Sequence, residues 1–225
     1  MIGIIYGFDS DTSESVDSLI DFINKTNVPI VMVNLLQALP KTKLWERMKK
    51  EGRLMQRATG DNSDGKMNFI PYNISEREAE QNYVKILKGI YNEKAFFTRV
   101  RRALSLIDPR SEDAPNLDTR SIRSALRILI KENSLTYWRH LRDAHKIAKK
   151  RSGFNTGDYW HLIAEYLAYC ARYTHVKAQT QYMEKQIESR DYEQWQTFSW
   201  REFQEFQGFE FTMPALLQER RKRSL

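Results

Sequence analysis

Two short apolar segments joined by one amphipathic helix occupy the first 36 residues, and they constrain the fold most strongly. Residues 1–8 and 30–36 are rich in aliphatic and β-branched side chains, which is typical of strands buried on both faces of a parallel sheet. Between them, apolar residues recur at helical spacing from Val16 to Ile23, and Pro29 ends the helix. A strand, a helix and a strand within this length predict a βαβ unit with a parallel pair.

After the second strand, the spacing of apolar residues is helical along most of the chain. It predicts a short helix at 42–50, a helix that begins at a capping box of Ser75 and Glu78, and a helix at about 93–107. Further helices follow a proline- and acid-rich linker at 108–116, and the third of them runs unbroken to about residue 189. Helix is therefore expected to dominate.

Buried parallel strands need neighbouring strands, and helices on both faces of their sheet. The simplest interpretation is that residues 1–55 are the α/β end of a partial (β/α) barrel. A loop and helical hairpin at 56–110 and a mostly α-helical, basic extension at 117–225 follow it. We then expect the open sheet edge to be covered by a missing N-terminal barrel half, or to cause self-association.

Short motifs in the first third of the chain resemble those of cobalamin-binding radical S-adenosylmethionine enzymes. Gly3-x-Ile5-x-Gly7-Phe8-Asp9 is similar to the fifth barrel strand of that family. Leu36-x-x-Leu39-Pro40-x-Thr42-x-Leu44-Trp45 resembles the sixth strand of the family and the loop that follows it. Lys41 stands where the family has a glycine. The segment after the barrel resembles Glu51-Gly52-Arg53-Leu54, Gly60-Asp61-Asn62-x-Asp64-Gly65 and Asn68-Phe69-x-Pro71.

This resemblance implies the C-terminal portion of an enzyme that, at full length, uses S-adenosylmethionine, a [4Fe–4S] cluster and, in some members, cobalamin. It implies an S-adenosylmethionine site at the ends of the two strands, with candidate residues Ile5, Gly7, Asp9, Leu36, Leu39, Pro40 and Thr42. Independently, ligands of parallel α/β folds bind at the carboxyl ends of strands. A glycine at position 7 would admit a ligand close to the backbone, although Gly3 and Gly7 also suit plain strand packing.

Cys170 is the single cysteine of the chain, which excludes an intrachain disulfide and any three-cysteine cluster site. The Cys-x3-Cys-x2-Cys motif of the family is absent, so we expect this chain to hold no cofactor by itself and to be inactive alone. No catalytic residue and no metal ligand is assigned. A reduced, cytoplasmic location is expected.

A second candidate region lies in the basic part of the chain, where residues 117–225 hold 19 Lys or Arg and 13 Asp or Glu. The main feature of this region is a predicted amphipathic helix with Trp138, Leu141 and Ala148 on one side. Most of its cations lie off that side, and they are Arg139, Arg142, Lys146, Lys149, Lys150 and Arg151. A solvated outer face is the simplest interpretation. The alternative is a non-catalytic interaction module that attaches peripherally to an anionic membrane surface or a partner protein. Nucleic acid is the least favoured partner, because no binding module is recognisable.

Overall fold

A computed structural model describes residues 1–55, 66–108, 135–153, 155–192 and 199–202, together with positions 123, 127 and 130. Helices dominate these residues, as expected, and the two strands form a small parallel sheet. The elements are β1 (Ile2–Tyr6), α1 (Ser13–Lys25), β2 (Val31–Leu35), α2 (Lys43–Lys50), α3 (Glu76–Ile90), α4 (Glu93–Leu106), α5 (Leu135–Ser152) and α6 (Thr156–Ser189).

Local capping residues start the helices where the sequence predicts. The Thr42 hydroxyl accepts from the backbone N–H of Trp45 at 3.2 Å and starts α2. The predicted capping box is confirmed, because the backbone N–H of Ser75 donates to the Glu78 carboxylate at 2.8 Å, and the Ser75 hydroxyl accepts from the Glu78 N–H at 3.2 Å. The 34-residue α6 also runs unbroken, as predicted.

The sheet corrects one expectation, because its strands are not buried on both faces. Side chains alternate between faces along a strand. Tyr6, Val33 and Leu35 are buried on one face, whereas Ile5 is 52% exposed and Met32 is 42% exposed on the other. Helical residues line the buried face, where the Asn82 amide of α3 donates to the Tyr6 hydroxyl at 3.0 Å. On the other face, Ile5 and Met32 expose apolar side chains within the part of the chain that the structure describes.

The chain forms two compact units. The first comprises residues 1–2, 20–31 and 88–180, and the second comprises residues 3–19, 32–87 and 181–225. The domain boundaries expected from the sequence stay a prediction. The Gly60–Gly65 motif, the linker from residue 109 onwards, most of the helix predicted near 122–129 and the basic C-terminal tail lie outside the described residues.

The first unit is built around packed aromatic rings and one buried cation. Phe97 packs between Tyr137, Tyr166 and Tyr173, with ring centroids 5.3 to 6.4 Å apart. The Arg99 guanidinium is fully buried and donates to the carbonyl oxygens of Val28 at 3.1 Å and Ile90 at 2.8 Å. Burial lowers its pKa to about 10, so Arg99 stays charged at neutral pH.

Within the part of the chain that the structure describes, no helix is both long enough and apolar enough to cross a membrane.

Candidate functional site

The candidate site lies in the second unit, at the carboxyl end of the sheet. The turn after β1 contains Gly7, whose φ of 105° is in the region that favours glycine. The backbone N–H groups of Gly7 and Phe8 both donate to the Asp11 carboxylate, at 2.8 and 3.0 Å. A Cβ at position 7 would lie 2.9 Å from the Met67 methyl carbon. The geometry of this turn therefore requires glycine at position 7, and the close approach of a ligand there stays a prediction.

Asp9 lies within this turn and is the centre of an ion-pair network. Its two carboxylate oxygens accept from the Arg53 guanidinium, and a further bond of 3.1 Å comes from Arg47. The backbone N–H of Tyr72 donates to it at 3.2 Å. Burial alone would raise the pKa of Asp9, but its bonds to Arg53 and the charges of Arg53 and Arg47 hold that pKa below its usual value.

Arg53 is the buried partner in this network, with 3% of its side chain exposed against 31% for Asp9. It also donates to the Glu51 carboxylate at 2.8 Å and to the carbonyl oxygen of Ile70 at 2.8 Å. The segments around Leu54 and Phe69 pair as an antiparallel bridge. The two short motifs after the predicted barrel thus fasten the turn after β1.

A buried amide side chain helps to hold the loop after β2. The Asn68 side chain accepts from the backbone N–H of Ala38 and donates to its carbonyl oxygen, both at 2.8 Å. Lys41, which replaces a glycine of the resembling family, has a φ of 68°. The loop therefore keeps a backbone conformation that glycine favours, and it does so at a steric cost.

A cavity of about 380 Å³ opens beside these two loops, and its lining residues are Phe8, Asp9, Leu36, Lys43, Leu44, Arg47 and Phe69. Of the predicted site residues, the cavity brings together Asp9 and Leu36. Ile5 lies on the open sheet face, Leu39 and Pro40 are exposed, and the Thr42 hydroxyl caps α2 and donates to the carbonyl oxygen of Leu39 at 2.7 Å. The cavity opens at the carboxyl ends of the strands, and the ligand site expected there stays a prediction.

The cationic residues of this cavity were not predicted from the sequence. Lys43 and Arg47 are one helical turn apart on α2, so their side chains share one face of that helix. Phe8, Leu44 and Phe69 belong to the motifs that resemble the family, but the sequence assigns no binding role to them. The spacing of Lys43, Leu44 and Arg47 directly after the loop was the available signal.

Chemically, the cavity combines apolar walls with two cations and one carboxylate that is already paired. Such a site suits a flat apolar group that carries an anionic substituent. Cys170 lies in the other unit, is buried, and has its pKa raised to about 12 by that burial, so it is a poor thiolate ligand. Among the described residues, no group of three His, Cys, Asp or Glu side chains is placed to hold a metal ion.

Comparison with known proteins gives the family. Residues 42–189 match the family described as Domain of unknown function (DUF4070). The hopanoid C-2 methylase of Rhodopseudomonas palustris is 46% identical over 68 residues, which are 30% of this chain and 12% of that protein. An uncharacterised methyltransferase of Synechocystis sp. is 32% identical over 148 residues, which are 62% of this chain and 27% of that protein.

The matched part of this chain thus spans about a quarter or less of the length of either curated relative. No solved structure is significantly similar to the chain. The family match covers about two thirds of the chain, and the two relatives are a methylase and a methyltransferase. The protein therefore belongs to the DUF4070 family, and its predicted resemblance to cobalamin-binding radical S-adenosylmethionine proteins is confirmed.

Proposed function

We propose that this chain is the C-terminal portion of a cobalamin-binding radical S-adenosylmethionine methylase, and that it is inactive alone. Its sheet would be the end of a partial (β/α) barrel, and the cavity would belong to the S-adenosylmethionine site. The observation that carries the proposal is the cavity at the carboxyl ends of β1 and β2, where parallel α/β folds bind ligands. The names of the two relatives support methyl transfer as the reaction class.

The faces of the sheet agree with this proposal. In a (β/α) barrel, helices cover the outer face of the strands and the other face lines the interior. Helical residues lie against the face of Tyr6, so the face of Ile5 and Met32 would be the interior one. Ile5, which the resemblance makes a candidate residue of the S-adenosylmethionine site, would then line the barrel interior.

The residues at the cavity fit S-adenosylmethionine in part. Phe8, Leu36 and Phe69 offer apolar surface for a purine ring, and the Lys43 ammonium offers a charge for a carboxylate. The backbone N–H of Gly7 is bonded to Asp11 and is not available as a donor. When bound, S-adenosylmethionine would be the molecule that the complete enzyme cleaves reductively.

A [4Fe–4S] cluster does not fit this chain, which has one cysteine, and that cysteine is buried. We therefore assign cluster binding to a second polypeptide segment with a Cys-x3-Cys-x2-Cys motif. The same segment would supply the remaining barrel strands and cover the open apolar face. Without it, a second copy of this chain is the expected occupant of that face.

The test is anaerobic reconstitution of the purified chain with iron and sulfide. We expect no visible absorbance from a cluster and no reductive cleavage of S-adenosylmethionine. Adding a segment that carries the three cysteines, the missing strands and a cobalamin domain should restore cleavage. In that complex, Leu36→Asp should abolish cleavage because it places a charge in the cavity, whereas Phe22→Asp, on an exposed position of α1, should not. A stable cluster on the chain alone, or full activity of the Leu36→Asp complex, would contradict the proposal.

A further inference from the structure

One exposed face of α5 concentrates positive charge. Arg142, Lys146 and Lys149 lie three and four residues apart, so their side chains share one face of the helix. Arg139 and Lys150 lie at the edges of the same face. The side chains of all five cations are exposed. We call this surface, with Trp138 and His145, the α5 basic face.

The rotation of α5 is set by its opposite side. Tyr137, Ala144 and Ala148 are buried there, and the Tyr166 hydroxyl donates to the carbonyl oxygen of Tyr137 at 2.8 Å. Arg151, which the sequence grouped with the cations, does not belong to the α5 basic face. Its guanidinium donates to the carbonyl oxygen of Ile107 at 2.7 Å, just after the end of α4.

Little negative charge opposes these cations. Asp143 is the only acidic residue of α5, and its carboxylate lies 3.9 Å from Arg101 of α4. Among the residues that the structure describes, no carboxylate forms an ion pair with any of the five cations. The α5 basic face therefore presents largely uncompensated positive charge.

Exposed tryptophan side chains are the second feature of this region, and a face that is merely solvated does not require them. Trp138 is 55% exposed and lies one turn before Arg142. The sequence grouped Trp138 with the apolar side, but the structure places it among the cations. His145 Nδ1 lies 2.8 Å from the Tyr159 hydroxyl, and the Tyr159 ring contacts Trp160, which is 61% exposed. Trp138 is thus an exposed indole on the α5 basic face, and Trp160 is connected to that face through Tyr159 and His145.

From this arrangement we infer that the α5 basic face binds the surface of an anionic lipid bilayer. Lys and Arg bind the acidic headgroups, while indole rings favour the depth at which headgroups meet acyl chains. Nucleic acid is less favoured because the cations lie on one convex helix face, whereas single-strand binding proteins use a cationic groove that follows the strand. This inference does not rest on the cavity or on the proposed methylase activity.

The test is sedimentation of the full chain with vesicles of phosphatidylserine and phosphatidylcholine, beside vesicles of phosphatidylcholine alone. We expect binding to the anionic vesicles that weakens as salt is raised. The triple variant Arg142→Gln, Lys146→Gln, Lys149→Gln should bind them roughly a hundredfold more weakly, because each cation near such a surface contributes about fivefold. Trp138→Ala should weaken binding to both kinds of vesicle.

A matched control removes the same charge from other exposed helical positions, with Lys49→Gln, Lys50→Gln and Lys185→Gln. It should bind nearly as the parent does, and circular dichroism should show that both triple variants fold. Soluble glycerophosphoserine at millimolar concentration should not compete, since a single headgroup lacks the bilayer surface.

Three outcomes would overturn the inference. They are no binding of the parent to anionic vesicles, equal binding by the triple variant, and tight binding to an oligonucleotide without vesicle binding.

Discussion

At the scale of single residues, the pair of Asp9 and Arg53 is the strongest electrostatic feature of the candidate site. Arg53 is almost fully buried, so it depends on Asp9 and Glu51 for compensation of its charge. A buried charge that loses its partner costs far more than an exposed ion pair gains. The pair therefore decides whether the turn after β1 holds its position beside the cavity.

We predict that Asp9→Asn lowers the free energy of unfolding by about 2 to 3 kcal/mol at neutral pH, a value reduced from that of a fully buried pair because Asp9 is partly exposed. The matched control is Asp21→Asn, because Asp21 pairs with Lys25 where both side chains are largely exposed. That change should cost under about 0.5 kcal/mol. Urea unfolding of the three proteins measures both differences.

The same pair predicts a pH dependence. The pKa of Asp9 is lowered in the folded chain, so its contribution to stability is present above about pH 4, the usual carboxyl value. It is lost as the pH falls through the lowered folded value. The gap in unfolding free energy between the parent and Asp9→Asn should therefore shrink on acidification below about pH 4. A gap that stays constant down to the folded pKa would contradict the proposed role of the charge.

At the scale of elements, two glycines of the β1 segment differ in what they do. Gly7, just after the strand, has a φ of 105° and faces Met67. A Cβ added to Gly3, inside the strand, would meet no atom of a non-adjacent residue within 4 Å. The requirement for glycine thus belongs to the turn that leads from β1 to the cavity, and the strand itself does not need it.

We predict that Gly7→Ala lowers the free energy of unfolding by about 1 to 3 kcal/mol, because alanine is strained at this φ. The Met67 side chain can move, so the contact with it should contribute little. Most of the cost of Gly7→Ala should therefore remain when the change is measured against Met67→Ala as the reference protein. Gly3→Ala is the control, and it should be neutral or stabilising by up to about 1 kcal/mol. Equal destabilisation by the two single changes, measured by thermal unfolding, would show that strand packing dominates at both positions.

At the scale of the whole molecule, the open face of the sheet is the feature with the largest consequence. Ile5 and Met32 present apolar surface on strands that have, among the described residues, one neighbour each. Apolar strands of this kind pair with other chains unless something covers them. Our proposal assigns that cover to the rest of a barrel.

We predict that the chain alone self-associates, and that Ile5→Lys and Met32→Lys each weaken the association by about tenfold, because each removes one aliphatic contact and adds a charge. Sedimentation velocity over a range of concentrations measures this. Phe22→Lys, at an exposed position of α1, is the control and should leave the association unchanged. A parent that stays monomeric at high concentration would argue against the open face as an interface.

Much of the architecture follows from the sequence by itself, because the signals are local. Apolar spacing placed β1, β2 and the helices, and the capping residues at Thr42 and Ser75 placed helix starts within a residue or two. The motifs also identified the family and the end of the sheet where the cavity lies. These properties depend on neighbours within a few positions of each other along the chain.

Other properties depend on residues far apart along the chain, and only the tertiary structure decided them. The sequence could not show that one face of the sheet stays open, since aliphatic strands look alike whether one or both faces are covered. Nor could it join Asp9 to Arg53, 44 residues away, or Asn68 to Ala38, 30 residues away. Helical spacing by itself puts Trp138 one turn before Arg142 and on the cationic face, so its assignment to the apolar side was wrong, and the structure decided that the side of Tyr137 and Ala144 packs inward. Packing between distant segments fixes such choices, and local spacing carries no record of it.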